Sequence, residues 1–546
     1  MSNITVFTAR EIITMNPSQP EAHAIAVRDG RILAVGSLED AAAWGDYQLN
    51  TQFADQVIMP GLVEGHSHVM QGTLWHFPYL GYFDRTGPDG KIWSGLASID
   101  AVVDALCVFE QQMTNPDEPL FAWGFDPIYF GGTRMVLEHL DRVSSTRPIM
   151  ILHSNGHLAN TNRVLLERAG IDKDTQVEGI LKDSHGKPTG ELQEFAALYF
   201  GYAIAGDAYH LASEAPSSVW NFAYAAQLAG VTTATDLYNE VSDATLTTFQ
   251  QVSSESNFPI RLVSALTGTG IDPQQGIEKL HKLIPLSQDN LKFGIVKLFA
   301  DGSIQGLTGR LRWPGYYNGA ENGIWVTAPE QLEEQILAYH QAGFQLHIHT
   351  NGDEAIQVAL DALEKTLQLH PRPNHRHTLQ HCQMPDRAQL KRMATLGLCA
   401  NMFSNHLYYW GDVHYQQTMG PDRACRMDPV ASAIREGVSV AIHSDAPVTP
   451  IGPLFTAWCA VNRQTASGRI LGSSECINVA QALHAITLGA AYTLHMDQDI
   501  GSIEVGKWAD FTVLADNPLT TDPSKLKDIP ILNTVLAGKV TQTKTL

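Results

Sequence analysis

Eight apolar, strand-like runs recur through the middle of this chain, and stretches that can be helical separate them. They cover residues 57–63, 230–236, 259–266, 293–299, 344–349, 376–381, 397–402 and 438–444. The first helix-to-strand junction is typical, with a helical stretch over 221–229 and Gly230 placed to cap it. Eight strands alternating with helices argue for a parallel (β/α)8 TIM barrel in an α/β protein, rather than an open sheet. In such a barrel the chemistry gathers at the C-terminal ends of the strands. Lys297, His349, His381 and Asp445 fall at those ends.

Both termini read differently. Residues 4–7, 11–14, 24–28 and 31–35 are short and rich in β-branched residues, with Asp29-Gly30 as a hairpin signal. Residues 510–514 and 531–536, followed by Ala537-Gly538-Lys539, answer them at the other end. The expectation is one small β-sandwich domain built from residues 1–56 and 497–546, with the barrel over 57–496. Roughly 150 residues separate His68 from the second strand, far more than one strand–helix loop uses. Residues about 70–215 therefore read as an inserted subdomain over the barrel mouth, with a helix expected over 161–169.

Composition narrows the partners. The 546 residues are 44% hydrophobic and 17% charged, with formal charge −21 and pI near 5.4. That acidity argues against nucleic acid or an anionic membrane surface, both of which require a positive face. The six cysteines are scattered without a C-x-x-C pair, as free thiols in a reducing compartment would be. With no signal-peptide pattern and no apolar run long enough to span a bilayer, a cytoplasmic location is expected. A homo-oligomer is compatible with all of this.

The chemistry begins at Pro60-Gly61-Leu62-Val63-Glu64-Gly65-His66-Ser67-His68. Side chains two apart on a strand point the same way, so His66 and His68 can aim two imidazoles at one point. Imidazole suits zinc, iron, nickel or copper; two structural histidines at a strand end are the alternative. Together with KLFADGS at 297–303, HTNGD at 349–353, QHCQ at 380–383 and HSDAPV at 443–448, this stretch resembles the metal-dependent amidohydrolase superfamily. The closer resemblance is to the amidohydrolase family 3 branch, which includes N-substituted formamide deformylases. Residues 26–36 and 501–510 are similar to its β-domain signatures, so the resemblance spans essentially the whole chain.

The resemblance implies a residue-by-residue assignment. His66, His68 and Asp445 would hold one divalent metal, zinc foremost, and His349 and His381 a second. Lys297 would carry a carbon dioxide-derived carbamate bridging the two, since an ammonium beside two dications would be strongly repelled. An unmodified Lys297, neutral or paired with Asp301 beside a single metal, is the alternative. A water between two Lewis acids yields hydroxide near neutral pH. Asp445 would act as base and then acid, passing the proton to the leaving nitrogen. The substrate would be a small-molecule amide of the N-acyl or N-formyl amine type. A mononuclear deaminase or cyclic-amide hydrolase on the same scaffold is the enzymatic alternative, and a non-catalytic binding protein the other.

His406 resembles a family position that could hydrogen-bond a substrate oxyanion, and His157, Arg310 and Trp123 are further candidate contacts. His347 rivals His349 on the same strand face, although Gly352-Asp353 favours His349; His443 has no assigned role. The sequence departs from the family pattern at Glu64, Gly65, Gln380 and Asn351. Those at Gln380 and Asn351 alter polarity beside the proposed ligands.

Overall fold

The computed structural model describes residues 3–130 and 133–541. Its centre is a curled sheet of eight parallel strands: Leu62–Glu64, Val231–Asn239, Arg261–Thr267, Leu291–Phe299, Gln345–Thr350, Thr378–His381, Cys399–Met402 and Ser439–Ile442. Each strand pairs with its neighbour in chain order. Both faces of such a sheet are covered, which is why its strands read as apolar runs. Helix Asp353–Leu369 shows how the outside is packed. Its Ala355, Ile356, Ala359, Leu360, Ala362 and Leu363 recur at three- and four-residue intervals and are all buried.

The outer strands approach each other at their C-terminal ends. Ser67 and Ala446 form a parallel bridge, and the His68 amide donates to the Ala446 carbonyl at 2.8 Å. The buried Glu64 carboxylate takes the Ser444 amide (3.1 Å) and hydroxyl (2.7 Å). One side chain thus ties the end of the first strand to the residue before Asp445.

The run at 57–63 is two strands. Val57–Pro60 pairs with Phe511–Leu514 in a different sheet, while Leu62–Glu64 pairs with the second parallel strand. Gly61 is the switch, and it must be small there: a Cβ would lie 1.9 Å from Thr232 Oγ1. The terminal strands, expected as a sandwich, form one hydrogen-bonded sheet of eight: Ile4–Ile13, Glu21–Arg28, Arg31–Gly36, Tyr47–Asn50, Val57–Pro60, Phe511–Leu514, Ile531–Leu536 and Lys539–Thr541. Alternation assigns its two faces. Ile25 and Val27 enter one apolar cluster, and Ala24 and Ala26 another, which also contains Ala41 of helix Leu38–Ala42. The buried Arg261–Asp510 pair (2.7 Å) fastens this sheet to the parallel one.

Between the first and second parallel strands lies a five-stranded sheet, with strands Leu120–Phe125, Ile149–His153, Leu158–Thr161, Ile180–Lys182 and Pro188–Gln193. Phe121, Trp123, Met150 and Leu152 pack on one face, and Leu120, Ala122, Ile149 and Ile151 on the other. The helix expected over 161–169 is Arg163–Arg168. Contacts to loops at the C-terminal side of the parallel sheet place this insertion over the strand ends. Trp410 Nε1 donates to Asp126 (2.9 Å), and Arg85 to the Thr449 carbonyl (3.1 Å). Among the described residues no helix is long and apolar enough to cross a membrane, and all six cysteines are unpaired.

Candidate metal centre

His66 and His68 lie just past the end of the first parallel strand, and Asp445 just past the eighth. The Nε2 atoms of both histidines are 3.2 Å from Asp445 Oδ1, and His381 Nδ1 is 3.7 Å from Asp445 Oδ2. Lys297 Nζ, at the fourth strand, is 3.5 Å from His66 Nε2. His349 and His381, from the fifth and sixth strands, have ring centroids 4.5 Å apart. Asp445 and His381 both hold left-handed backbone (φ 54° and 63°), a conformation that costs energy and clusters at functional sites.

Burial sets the charge states. It drives His66, His349 and His381 well below the ordinary histidine value, and the neighbouring cations push in the same direction. These imidazoles are neutral, with lone pairs to offer. Burial brings the Lys297 amine down to about 7. For Asp445 burial disfavours ionisation, but the His68 hydrogen bond and the neighbouring His68, His443 and Lys297 side chains prevail and hold it below the usual carboxylate value.

The donor set fits a metal. His66, His68 and Asp445 can direct one ligand atom each within 4.8 Å of one another, and so can His66, His381 and His443. Among the described residues His68 Nδ1, His381 Nδ1 and both nitrogens of His443 are buried without a hydrogen-bond partner. Such orphaned atoms are rare in folded proteins unless an ion or water satisfies them.

A chain of hydrogen bonds fixes the His66 tautomer. The Thr493 carbonyl can only accept, so His347 Nε2 (3.0 Å) carries the proton and His347 Nδ1 is an acceptor. Gln380 Nε2 donates to that Nδ1 at 2.7 Å. Gln380 Oε1 then accepts from His66 Nδ1 at 2.6 Å and from Asn401 at 3.0 Å. His66 Nε2 is left unprotonated, facing Lys297 and Asp445. His347 therefore supports the site through Gln380 and does not enter it.

His349 lies outside both close donor groups. Its Nε2 is 3.3 Å from the Gly302 carbonyl and 3.0 Å from Asn351 Nδ2. Asp301 does not pair with Lys297. Its carboxylate takes the backbone amides of Arg310, Asn351 and Gly352 (2.9 Å each), and burial lifts it to about 7.

The other candidates divide. His157, from the insertion, reaches the centre, with its ring 5.5 Å from that of His349. Its Nδ1 is 2.8 Å from Glu194 Oε2. Burial would lower His157, but the charge and hydrogen bond of Glu194 raise it above the ordinary value. Glu194 itself has φ 61°, and its buried Oε1 is unpartnered. His406 is fully buried behind Phe403, whose ring stacks on it at 5.4 Å, and it contacts Gln383, Gln305 (3.1 Å) and His414 (3.2 Å). Arg310 spends its guanidinium on Glu354 (3.0 Å), the Gly323 carbonyl and the Trp325 ring. Trp123 belongs to the insertion's core, where Nε1 donates to the Phe77 carbonyl. The structure thus brings His157 to the candidate ligands and keeps Arg310 and Trp123 in structural contacts.

Sequence reasoning missed Glu194, because nothing in a lone Glu 37 positions from His157 signals the pairing. It also missed the role of Gln380, although its departure from the family pattern was a usable signal.

A curled parallel sheet with histidines, a lysine and a carboxylate converging beyond its strand ends is the architecture of a metal-dependent hydrolase. The chain belongs to the amidohydrolase family, whose sequence pattern matches residues 54–542. It is 28% identical over 545 residues to YtcJ of Bacillus subtilis (strain 168), provisionally named an amidohydrolase, covering 98% of each chain. It is 24% identical to the N-substituted formamide deformylase of Arthrobacter pascens, again covering 98% of each. An uncharacterized metal-dependent hydrolase from Pyrococcus horikoshii OT3 has a similar crystal structure. The TM-score is 0.72 at 20% identity, covering 95% of this chain and 99% of that one.

Proposed function

We propose that this hydrolase cleaves a carbon–nitrogen amide bond of the N-acyl or N-formyl amine type. The observation that carries the reading is the convergence of neutral imidazoles, one low-pKa carboxylate and a readily deprotonated lysine on one buried point. His66, His68 and Asp445 would hold one divalent ion, His349 and His381 a second, and a carbamate on Lys297 would join them. Zinc bound in this way supplies a Lewis acid for the scissile carbonyl and lowers the proton affinity of water. With its amine near 7, Lys297 is substantially neutral at physiological pH, the form that attacks carbon dioxide. The amine nitrogen bonds to carbon, one proton leaves, and a carboxylate-like group replaces a cation.

The chain's own groups then handle the proton. Asp445, 3.2 Å from both first-strand histidines, takes the nucleophile's proton and hands it to the leaving nitrogen. His157, with Nδ1 fixed by Glu194, presents Nε2 as a donor to the substrate oxygen. His406 acts at one remove, orienting Gln305. Similarity to the formamide deformylase supports the N-formyl reading.

A mononuclear deaminase or cyclic-amide hydrolase is the second reading. What favours it is that His66, His68 and Asp445 close on one point while His349 Nε2 is engaged by Gly302 and Asn351. Elemental analysis of protein prepared with zinc and bicarbonate separates the two. About two metals per chain, falling sharply in Lys297→Ala, together with turnover of N-acyl or N-formyl amines, supports the bridged centre. One metal, indifferent to Lys297, refutes the bridge and moves the second reading to first place.

A further inference from the structure

Arg85, in the short strand Arg85–Thr86 of the insertion, is buried, with 4% of its surface exposed. Its Nη2 donates to the Thr449 carbonyl at 3.1 Å, and its Nε is buried with no partner. The groups beside it are aromatic: Trp123 and Tyr79 lie 4.9 and 5.8 Å from the guanidinium carbon, the Tyr79 hydroxyl is within hydrogen-bonding reach of the guanidinium, and Tyr409 is also near. Among the described residues no carboxylate pairs with it.

The other buried arginines show the contrast. Arg261 pairs with Asp510, Arg376 with Asp497 and Arg147 with Glu110, while Arg463 donates to the carbonyls of Met427, Asp428 and Leu471. A guanidinium keeps its charge in proteins, and a buried charge without a counter-charge is costly. Arg85 is also well placed. Thr449 lies four residues after Asp445 in the loop between the eighth strand and helix Pro453–Asn462; the Val448 amide donates to the Asp445 carbonyl (2.6 Å), and the Thr449 hydroxyl to the Ser444 carbonyl. The unneutralised cation thus stands on the loop that carries the proposed proton carrier.

We infer that Arg85 is a specificity-determining residue that receives a carboxylate on the substrate, so that the amide cleaved is an acidic one. The N–H groups not used by Thr449 take the two carboxylate oxygens, while the Trp123 and Tyr79 rings pack beside the guanidinium itself. This rests on the amide-hydrolase reading for the bond cleaved, but not for the anion bound.

Three amides test it on the zinc-loaded full chain: N-acetylphenylalanine (both enantiomers), N-succinylphenethylamine and the neutral N-acetylphenethylamine. One of the acids should exceed the neutral compound in kcat/KM by roughly 10–100-fold, the range for a charge-assisted pair. In Arg85→Met that ratio should collapse towards unity, mainly through KM. Arg85→Lys, which keeps the charge but loses the fork, should fall between and serves should the Met variant not fold. A neutral preference in the wild type, or a ratio indifferent to Arg85, overturns the inference. If none of the amides turns over, the hydrolytic reading fails while thermal-shift titration still decides on Arg85. Stabilisation by an acid alone, lost in Arg85→Met, supports it; equal or no stabilisation by acid and neutral compound overturns it.

Discussion

Gln380→Met tests whether the hydrogen-bond chain behind His66 governs metal affinity. Methionine keeps the length of the side chain and packs adaptably, so the change is mainly electrostatic. Three contacts disappear: Oε1 with His66 Nδ1 (2.6 Å), Oε1 with Asn401 (3.0 Å) and Nε2 with His347 Nδ1 (2.7 Å). All four side chains are buried, so water does not readily replace what is lost. Unpartnered buried polar groups cost on the order of 1–3 kcal/mol each before relaxation, and thermal stability should fall. The sharper effect concerns the tautomer. Without an acceptor at Nδ1, His66 can move its proton to Nε2, the atom that faces Asp445 and Lys297. Loss of such a supporting partner lowers metal affinity by ~10–100-fold, or ~1.4–2.7 kcal/mol. Competition against a chromophoric chelator measures it, with circular dichroism confirming the fold. Unchanged zinc affinity in a folded Gln380→Met protein would show that the chain through Gln380 does not set the donor.

Three further outcomes follow from the geometry. Asp445→Asn should retain substantial metal by elemental analysis yet lower kcat by ~10²–10⁴-fold; near-normal turnover removes Asp445 from proton transfer. In Glu194→Gln the pair at 2.8 Å loses its anion, so His157 should give up its proton at lower pH. The alkaline limb of the pH–rate profile should move down with it, and an unmoved limb means that His157 does not report on turnover. Asp126 gives a stability test, because burial raises its carboxyl from 3.8 to about 6 against the hydrogen bonds from Trp410 and Ile128. Between about pH 4 and 6 the folded protein holds this proton when the unfolded chain has lost it, so stability falls as pH rises through that window, by ~3 kcal/mol in all. Asp126→Asn should therefore raise Tm relative to wild type more at pH 7.5 than at pH 4.5; the same difference at both refutes the assignment.

The fold was legible because parallel strands buried on both faces must be apolar, and their ends must turn polar where the chemistry sits. That is how Lys297, His349, His381 and Asp445 could be placed from spacing and how the curled sheet could be expected. The change of sheet at Pro60-Gly61 was not legible, because Val57–Pro60 and Leu62-Val63 are both apolar and buried and only their partners differ. A run of hydrophobic residues says that it is buried, not against which sheet. Contacts assembled from distant segments were hidden for the same reason. The Glu194–His157 pair, and the loss of Arg310 to Glu354 and of Trp123 to the insertion's core, depend on how the insertion docks. His347 shows where pattern reasoning helped without finishing. Its alternation with His349 put both on one strand face, but only the Thr493 carbonyl and Gln380 reveal that one points to the chemistry and the other supports it.

Charge balance links these pieces. Burial leaves His66, His349, His381 and His443 neutral, and among the described residues Asp445 is the carboxylate in direct side-chain contact with both first-strand histidines. Four other carboxyl groups nearby are already committed: Glu64 to Ser444, Asp236 to the Val69 amide and Asn239, Asp301 to three backbone amides and Glu194 to His157. One carboxylate and neutral imidazoles can balance one dication tolerably. A second dication would leave a large excess of positive charge in a medium that screens poorly. Lys297 is the one residue placed to correct this, because its amine at about 7 can be converted from a cation into an anion where the ligands meet. The number of ions bound and the chemical state of Lys297 are therefore one question. Bicarbonate should raise the metal content of the wild type, and it should have no effect on Lys297→Ala.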